Sequence, residues 1–116
     1  KLPPLPCDPH QITQILLNLL TNARDALAPQ PGTITIRTAI THAHDALILE
    51  IHDSGPGIPP ELLDKIFDPF FTTKPIGMGT GLGLPIVANL IARHHGRLTV
   101  GNHPNGGAIF TIHLPF

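Results

Sequence analysis

Asn18, Asn22 and Asp25 stand at i, i+4 and i+7 in the first quarter of the chain. On a helix they form a polar stripe roughly 100° round from the apolar one. Amides beside a core face need partners. A neutral amide oxygen suits Mg²⁺, which keeps several waters and takes further oxygens from phosphates. Hydrogen bonds to a neighbouring loop would satisfy the same amides. A second group, Asp53-Ser54-Gly55-Pro56-Gly57, ends a run in which Leu47, Leu49, Ile51 and Asp53 share one parity. Asp53 therefore points where the apolar side chains point, and a carboxylate there needs a donor. The amino group of adenine is one such donor, with Gly55 and Gly57 letting backbone approach a flat ring. A strand-end turn with Asp53 bonding local amides is the other reading. The third group is Gly77-Met78-Gly79-Thr80-Gly81-Leu82-Gly83-Leu84. Alternating glycines that feed a helix can wrap phosphates against the helix's unpaired N–H groups; a flexible linker has the same composition. The run has no Gly-Lys-Ser/Thr and no strand leads directly into it, so it is neither a P-loop nor a dinucleotide fingerprint.

The elements that must carry these groups follow from pattern. Asp8 can cap a helix, Pro9 suits its first turn, and Gln11 stands three residues after the cap as in a capping box. Ile12, Ile15, Leu16, Leu19, Ala23, Ala26 and Leu27 recur at helical spacing, and Pro29 and Pro31 stop the helix near residue 28. Residues 33–40 and 47–53 alternate apolar and polar, which predicts two strands with Ile34, Ile36, Ile40, Leu47, Leu49 and Ile51 on one face. A short helix over 60–66 and a long Gly-rich stretch follow, then a helix over 84–95 ended by Gly96. Strands at 97–102 and 108–114 flank a Pro104-Asn105-Gly106-Gly107 turn. One apolar face per strand predicts a two-layer α/β sandwich, a mixed sheet covered by helices on one face.

The bulk numbers narrow the function classes. A length of 116 residues fits one domain. A net charge of −1 with no Lys/Arg stripe excludes a binder that works by neutralising nucleic-acid phosphates. Apolar runs are too short for a membrane span, and Lys1 to Pro6 has no signal-peptide core. Cys7 is the single cysteine, which points to a reducing compartment and to a small, semi-buried apolar role. The eight histidines have no zinc-site spacing.

Taken together the groups resemble the catalytic domain of sensor histidine kinases, in the superfamily shared with gyrase, Hsp90 and MutL. Asn18-Leu19-Leu20-Thr21-Asn22-Ala23 resembles the N box and Asp53-Ser54-Gly55-Pro56-Gly57 the first G box. Ile66-Phe67-Asp68-Pro69-Phe70-Phe71-Thr72-Thr73-Lys74 is similar to the F box of nitrogen-regulation-type kinases, and Gly79-Thr80-Gly81-Leu82-Gly83-Leu84 to the second G box. The four boxes stand in the family's order and cover nearly the whole chain.

The resemblance implies a Bergerat-type ATP-binding fold with a long Gly-rich lid, and ATP and Mg²⁺ as its ligands. It implies that Asn22 holds the metal while Asn18 assists near the phosphates. Asp53 would bind the adenine amino group, with Gly55, Gly57 and Ile58 lining the base. Phe67 and Phe70 would hinge the lid, although plain core packing explains phenylalanines equally well. Thr73 and Lys74 would reach phosphate, and Gly79, Thr80, Gly81, Leu82 and Gly83 would wrap it. Hydrolysing members carry a glutamate where this chain has Asn18, and an amide is no general base; the resemblance therefore implies a kinase rather than an ATPase. No histidine here has a phosphoacceptor pattern, so the accepting histidine would lie on a separate dimerisation domain, outside 1–116, with a response regulator downstream. The expected setting is cytoplasmic, free or as the inner part of a membrane-bound sensor, without membrane contact by this domain, and the domain is expected to be monomeric. Three features depart from the family. Asp25, beside Arg24, stands where many kinases have a base; Pro85 replaces a serine; and Ala108 stands where some relatives have threonine. The alternatives are a nucleotide-binding switch or degenerate kinase without transfer, a hydrolysing ATPase, and an interaction domain that has lost nucleotide.

Overall fold

Asp8 starts the first helix, α1 (Pro9–Leu27). Its carboxylate accepts the His10 N–H at 2.9 Å and its carbonyl accepts Ile12 N–H at 3.0 Å, a cap that contributes about 1 kcal/mol. The reciprocal capping-box bond expected of Gln11 is made from elsewhere. The Asp8 N–H donates to Nε2 of His94, at 3.1 Å, while His94 Nδ1 bonds the Leu90 carbonyl at 2.9 Å. That carbonyl fixes the hydrogen on Nδ1, leaving Nε2 as the acceptor. A computed structural model describes residues 7–27, 32–63, 65–67, 83–104 and 106–116. Cys7 is exposed rather than semi-buried, because it precedes the cap and stands outside the buried stripe of the helix.

Ile15, Leu19 and Ala23 form the buried stripe of α1, flanked by half-buried Ile12, Leu16 and Leu20. The second helix, α2 (Gly83–Arg93), buries Val87 and Ile91 and packs against α1. Pro85 lies in its first turn, where a missing N–H costs nothing. The helix ends one residue earlier in the motif than expected. His95, at φ 60°, takes the left-handed position; its N–H bonds the Ala92 carbonyl at 2.9 Å and Gly96 N–H bonds Ile91 at 2.9 Å. That is a Schellman ending with histidine at the position where glycine is usual. Gly96 is needed for space instead, since a Cβ there would meet the His113 carbonyl oxygen at 2.5 Å.

Four strands, β1 (Ile34–Ile40), β2 (Ala46–Asp53), β3 (Arg97–Asn102) and β4 (Ala108–Pro115), form an open sheet in the order β1-β2-β4-β3. Every neighbouring pair is antiparallel. β2 and β3 nevertheless run in the same direction, joined through α2, with β4 inserted between them: a split βαβ unit. The mixed sheet expected from sequence thus holds its parallel strands apart, and the four described strands have only antiparallel neighbours.

The core lies between this sheet and the two helices. Leu49 and Ile51 of β2 and Ala108, Phe110, Ile112 and Leu114 of β4 are buried at every second position, facing Ile15, Leu19, Val87 and Ile91. The outer face of the sheet carries Glu50, His52, Thr111 and His113 and is half-buried. β1 departs from the expected pattern. Ile34 and Ile36 share the inward parity of Asp53 and Ile51, yet are 36% and 50% exposed, because α1 lies over β2 and barely reaches the edge strand. Between β2 and α2 the expected short helix is a single 3₁₀ turn, Pro60–Leu62, followed by turns that deliver Ile66 to the core.

Candidate functional site

The last inward-facing row of the sheet holds the site. Ile34 pairs with Asp53 and Asn102 pairs with Ala108; Ala108 in turn stands next to Asp53, since His52 pairs with Ile109. Period-two alternation carries Asp53 inward after Leu49 and Ile51, and only 3% of it is exposed. Its Oδ1 accepts the Gly55 N–H at 2.9 Å and the Ala108 N–H at 3.4 Å. Among the described residues none donates to Oδ2. The carboxylate is thus held by backbone on one oxygen, with the second oxygen left as an acceptor for whatever enters beside it.

From Asp53 a loop arcs across the end of the sheet and is pinned along its length. Ser54 exchanges bonds with Thr33: its Oγ accepts Thr33 N–H at 2.9 Å and its N–H bonds the Thr33 carbonyl at 3.0 Å. Gly55 is tied to Asp53 as above. Gly57 takes φ 82°, and a Cβ there would meet Oδ1 of Asn102 at 2.6 Å. Ile58 is half-buried against the core. Its N–H donates to Asn102 Oδ1, and its carbonyl accepts from Asn102 Nδ2, both at 2.7 Å. Pro56, Gly57, Ile58, Asn102, His103 and Gly107 line an open concavity of about 500 Å³ on this loop.

The turn between β3 and β4 forms the other side of that concavity, whose lining does not include Asp53. His103 N–H bonds the Gly107 carbonyl at 2.8 Å and Gly106 N–H bonds the His103 carbonyl at 2.9 Å. The His52 ring stacks on His103, centroids 4.5 Å apart, and its Nε2 bonds the Gly106 carbonyl at 3.1 Å. Gly107 sits at φ 89° so close to β2 that a Cβ would fall 1.8 Å from the Asp53 carbonyl oxygen.

Asn18 and Asn22 are half-buried on α1, flanking buried Leu19 and Ala23. A Cβ on Gly32 would meet both the Leu27 side chain and Ser54 Oγ, at 2.5 and 2.6 Å. The C-terminal end of α1 therefore lies at the Asp53 end of the sheet, with Asn22 in that half of the helix and Asn18 at its midpoint. Since α2 ends at Asp8, it packs back along α1 and brings its first residue, Gly83, toward the same half. Arg24 is turned away: it is 74% exposed and lies 3.5 Å from Asp25, a surface pair of little energetic weight. Phe67 is half-buried and packs against the core. Phe70, Thr73, Lys74, Gly79, Thr80, Gly81 and Leu82 lie outside the described residues. Asn102 and Gly107 are the site residues that sequence reasoning missed.

The site is a buried carboxylate under a pinned glycine loop, at the end of the sheet where α1 brings two amides. A family model described as "Histidine kinase-, DNA gyrase B-, and HSP90-like ATPase" matches residues 7–116. The chain belongs to that ATPase family. Within it, this is a histidine kinase catalytic ATPase domain of the kind found in two-component sensors. It is 48% identical over 108 residues to the sensor histidine kinase ZraS of Salmonella typhi, covering 93% of this chain and 22% of ZraS. It is 43% identical over 123 residues to the sensory histidine kinase/phosphatase NtrB of Salmonella typhimurium, covering 99% of this chain and 34% of NtrB. The nucleotide-free catalytic domain of histidine kinase ThkA superposes with a TM-score of 0.80 at 39% identity, covering 94% of this chain and 69% of that one. The chain thus spans about a fifth to a third of these curated relatives. Among the described residues, no helix is long and apolar enough to cross a membrane.

Proposed function

We propose that this domain binds Mg-ATP and donates the γ-phosphoryl group to a histidine on a separate helical dimerisation and phosphoacceptor domain. The observation that carries the reading is Asp53: a buried carboxylate at a strand end, one oxygen saturated by Gly55 and Ala108, beside a glycine loop. The other oxygen accepts the adenine amino group, and Gly57 and Ile58 form the wall against the ring. Asn22 supplies an amide oxygen to Mg²⁺, and Asn18 lies one turn away toward the phosphates. Bound Mg²⁺ supplies neutralisation of phosphate charge. The N–H groups at the start of α2, with Gly79, Thr80, Gly81, Leu82 and Gly83 before and at it, hold the phosphate chain. Thr73 and Lys74 add a hydroxyl and a charge there, and Phe67 and Phe70 hinge the lid. An amide at position 18 takes no proton from water, so ATP persists until the accepting histidine is presented. The full protein then passes the phosphoryl group to a response regulator, with this domain in the cytoplasm and monomeric on its own.

The test supplies a histidine-bearing dimerisation domain of a close relative together with γ-labelled ATP. Label moves to histidine with the wild-type domain and Mg²⁺. With Asn22→Ala, half-maximal transfer needs about tenfold more Mg²⁺, the loss of roughly 1.4 kcal/mol of metal binding. ATP binding without any transfer to histidine would leave a nucleotide-binding switch. An identical Mg²⁺ titration in wild type and variant would remove Asn22 from the metal site.

A further inference from the structure

We propose that Asn102 is a positioning residue for the base pocket, holding the 54–58 loop in the shape that receives adenine. The inference rests on the nucleotide reading above and extends it to a residue on the far side of the sheet. Asn102 stands in the same inward row as Asp53, with Ala108 of β4 between them. The loop that leaves Asp53 must cross that row, and it is held at both ends by side chains. At the near end Asp53 Oδ1 takes the Gly55 N–H at 2.9 Å. At the far end the Asn102 carboxamide grips one residue by both of its backbone groups, accepting from Ile58 N–H and donating to Ile58 C=O at 2.7 Å.

An amide with one acceptor and one donor side by side is the side chain that completes this pair as a strand neighbour would. Serine has a single atom for both bonds, and aspartate has no donor. The carboxamide also sets the space for Gly57, whose absent Cβ would lie 2.6 Å from Oδ1. Gly57 and Ile58 are the part of the loop that faces the ring in the reading above. Without the clamp, the packing of Ile58 against the core remains, but no hydrogen bond from a described side chain fixes the backbone at Gly57 and Ile58. The loop would then sample the receptive shape for only a fraction of the time, and apparent affinity falls by that fraction. The clamp acts on the part of the loop that meets the base, so binding of a ligand without a base is expected to be unchanged.

Asn102 is exposed at the sheet end, so Asn102→Ala and the isosteric Asn102→Asp both leave the core intact. The experiment measures Mg-ATP affinity and competition by inorganic tripolyphosphate, which has no base, for wild type and both variants. The expected result is ATP binding weakened about tenfold in each variant, with the tripolyphosphate constant unchanged. Asn102→Asp should fail as badly as Asn102→Ala, because its second oxygen opposes the Ile58 carbonyl. Equal weakening of both ligands, or no weakening of either, overturns the clamp, since a general loss of fold would not single out the base. Failure of the wild-type protein itself to bind ATP would instead defeat the nucleotide reading on which the clamp stands.

Discussion

Asp53→Asn is expected to keep the fold and lose adenine. Asparagine has the shape of the aspartate, and its oxygen can still accept the Gly55 and Ala108 N–H groups that Asp53 Oδ1 accepts at 2.9 and 3.4 Å. The second oxygen becomes an NH₂, which meets the adenine amino group donor to donor. A hydrogen bond to a charged acceptor contributes about 1.5–3 kcal/mol, so ATP affinity should fall roughly ten- to hundredfold. Isothermal titration on wild type and variant measures this directly, with urea unfolding as the control for fold. Affinity within twofold of wild type would remove Asp53 from the base pocket and leave it a strand-end capping residue.

Gly107→Ala should be the most damaging single-methyl change at the site. Two independent effects coincide there. The residue holds φ 89°, which an L side chain rarely adopts, and the new Cβ would be placed 1.8 Å from the Asp53 carbonyl oxygen. That neighbour is strand backbone at the last pair of the β1–β2 ladder, so it cannot rotate aside as a side chain would. The strain alone costs about 1–3 kcal/mol, and relieving the overlap requires β2 and β4 to part at Asp53. We expect a total of about 3 kcal/mol or more in urea unfolding, with ATP binding weakened in whatever fraction stays folded. Gly101→Ala is the matched control: it lies one strand away, with nothing within 4 Å of a Cβ, and should change stability by less than about 1 kcal/mol. Equal effects at the two glycines would show that the close approach of Gly107 to β2 is not tight in solution.

Much of this site was legible in the sequence because it depends on local periodicity. Leu47, Leu49, Ile51 and Asp53 alternate without interruption, so the direction of the carboxylate follows from the strand alone. The stripe of Ile15, Leu19 and Ala23 likewise places Asn18 and Asn22 at the margin of the buried face of α1. The two-layer architecture follows from the same alternation, and the order of the four boxes pointed to the family.

What escaped is what depends on distant pairing. Asn102 and Ile58 are separated by 44 residues, and His94 and Asp8 by 86. No spacing rule links either pair, so the loop clamp was invisible and the partner of the α1 cap was assigned to Gln11. Gly107 read as a turn glycine, because its true constraint is the passage of β2 behind it. Gly96 was read as the left-handed end of α2, while the position belongs to His95 and Gly96 answers to the His113 carbonyl. The exposure of Ile34 and Ile36 was missed for a related reason: alternation tells which way a side chain points, not whether a helix reaches it.

If Asp53 and α1 together make a Mg-ATP site, thermal unfolding with nucleotide reveals it. A ligand that binds only the native state adds about 2.7 kcal/mol at a hundredfold excess over Kd. ATP should raise the unfolding midpoint, Mg²⁺ should enlarge the shift, and GTP, with a carbonyl where adenine has its amino group, should fail to reproduce it. An unchanged midpoint at millimolar Mg-ATP, or an equal shift with GTP, would contradict it.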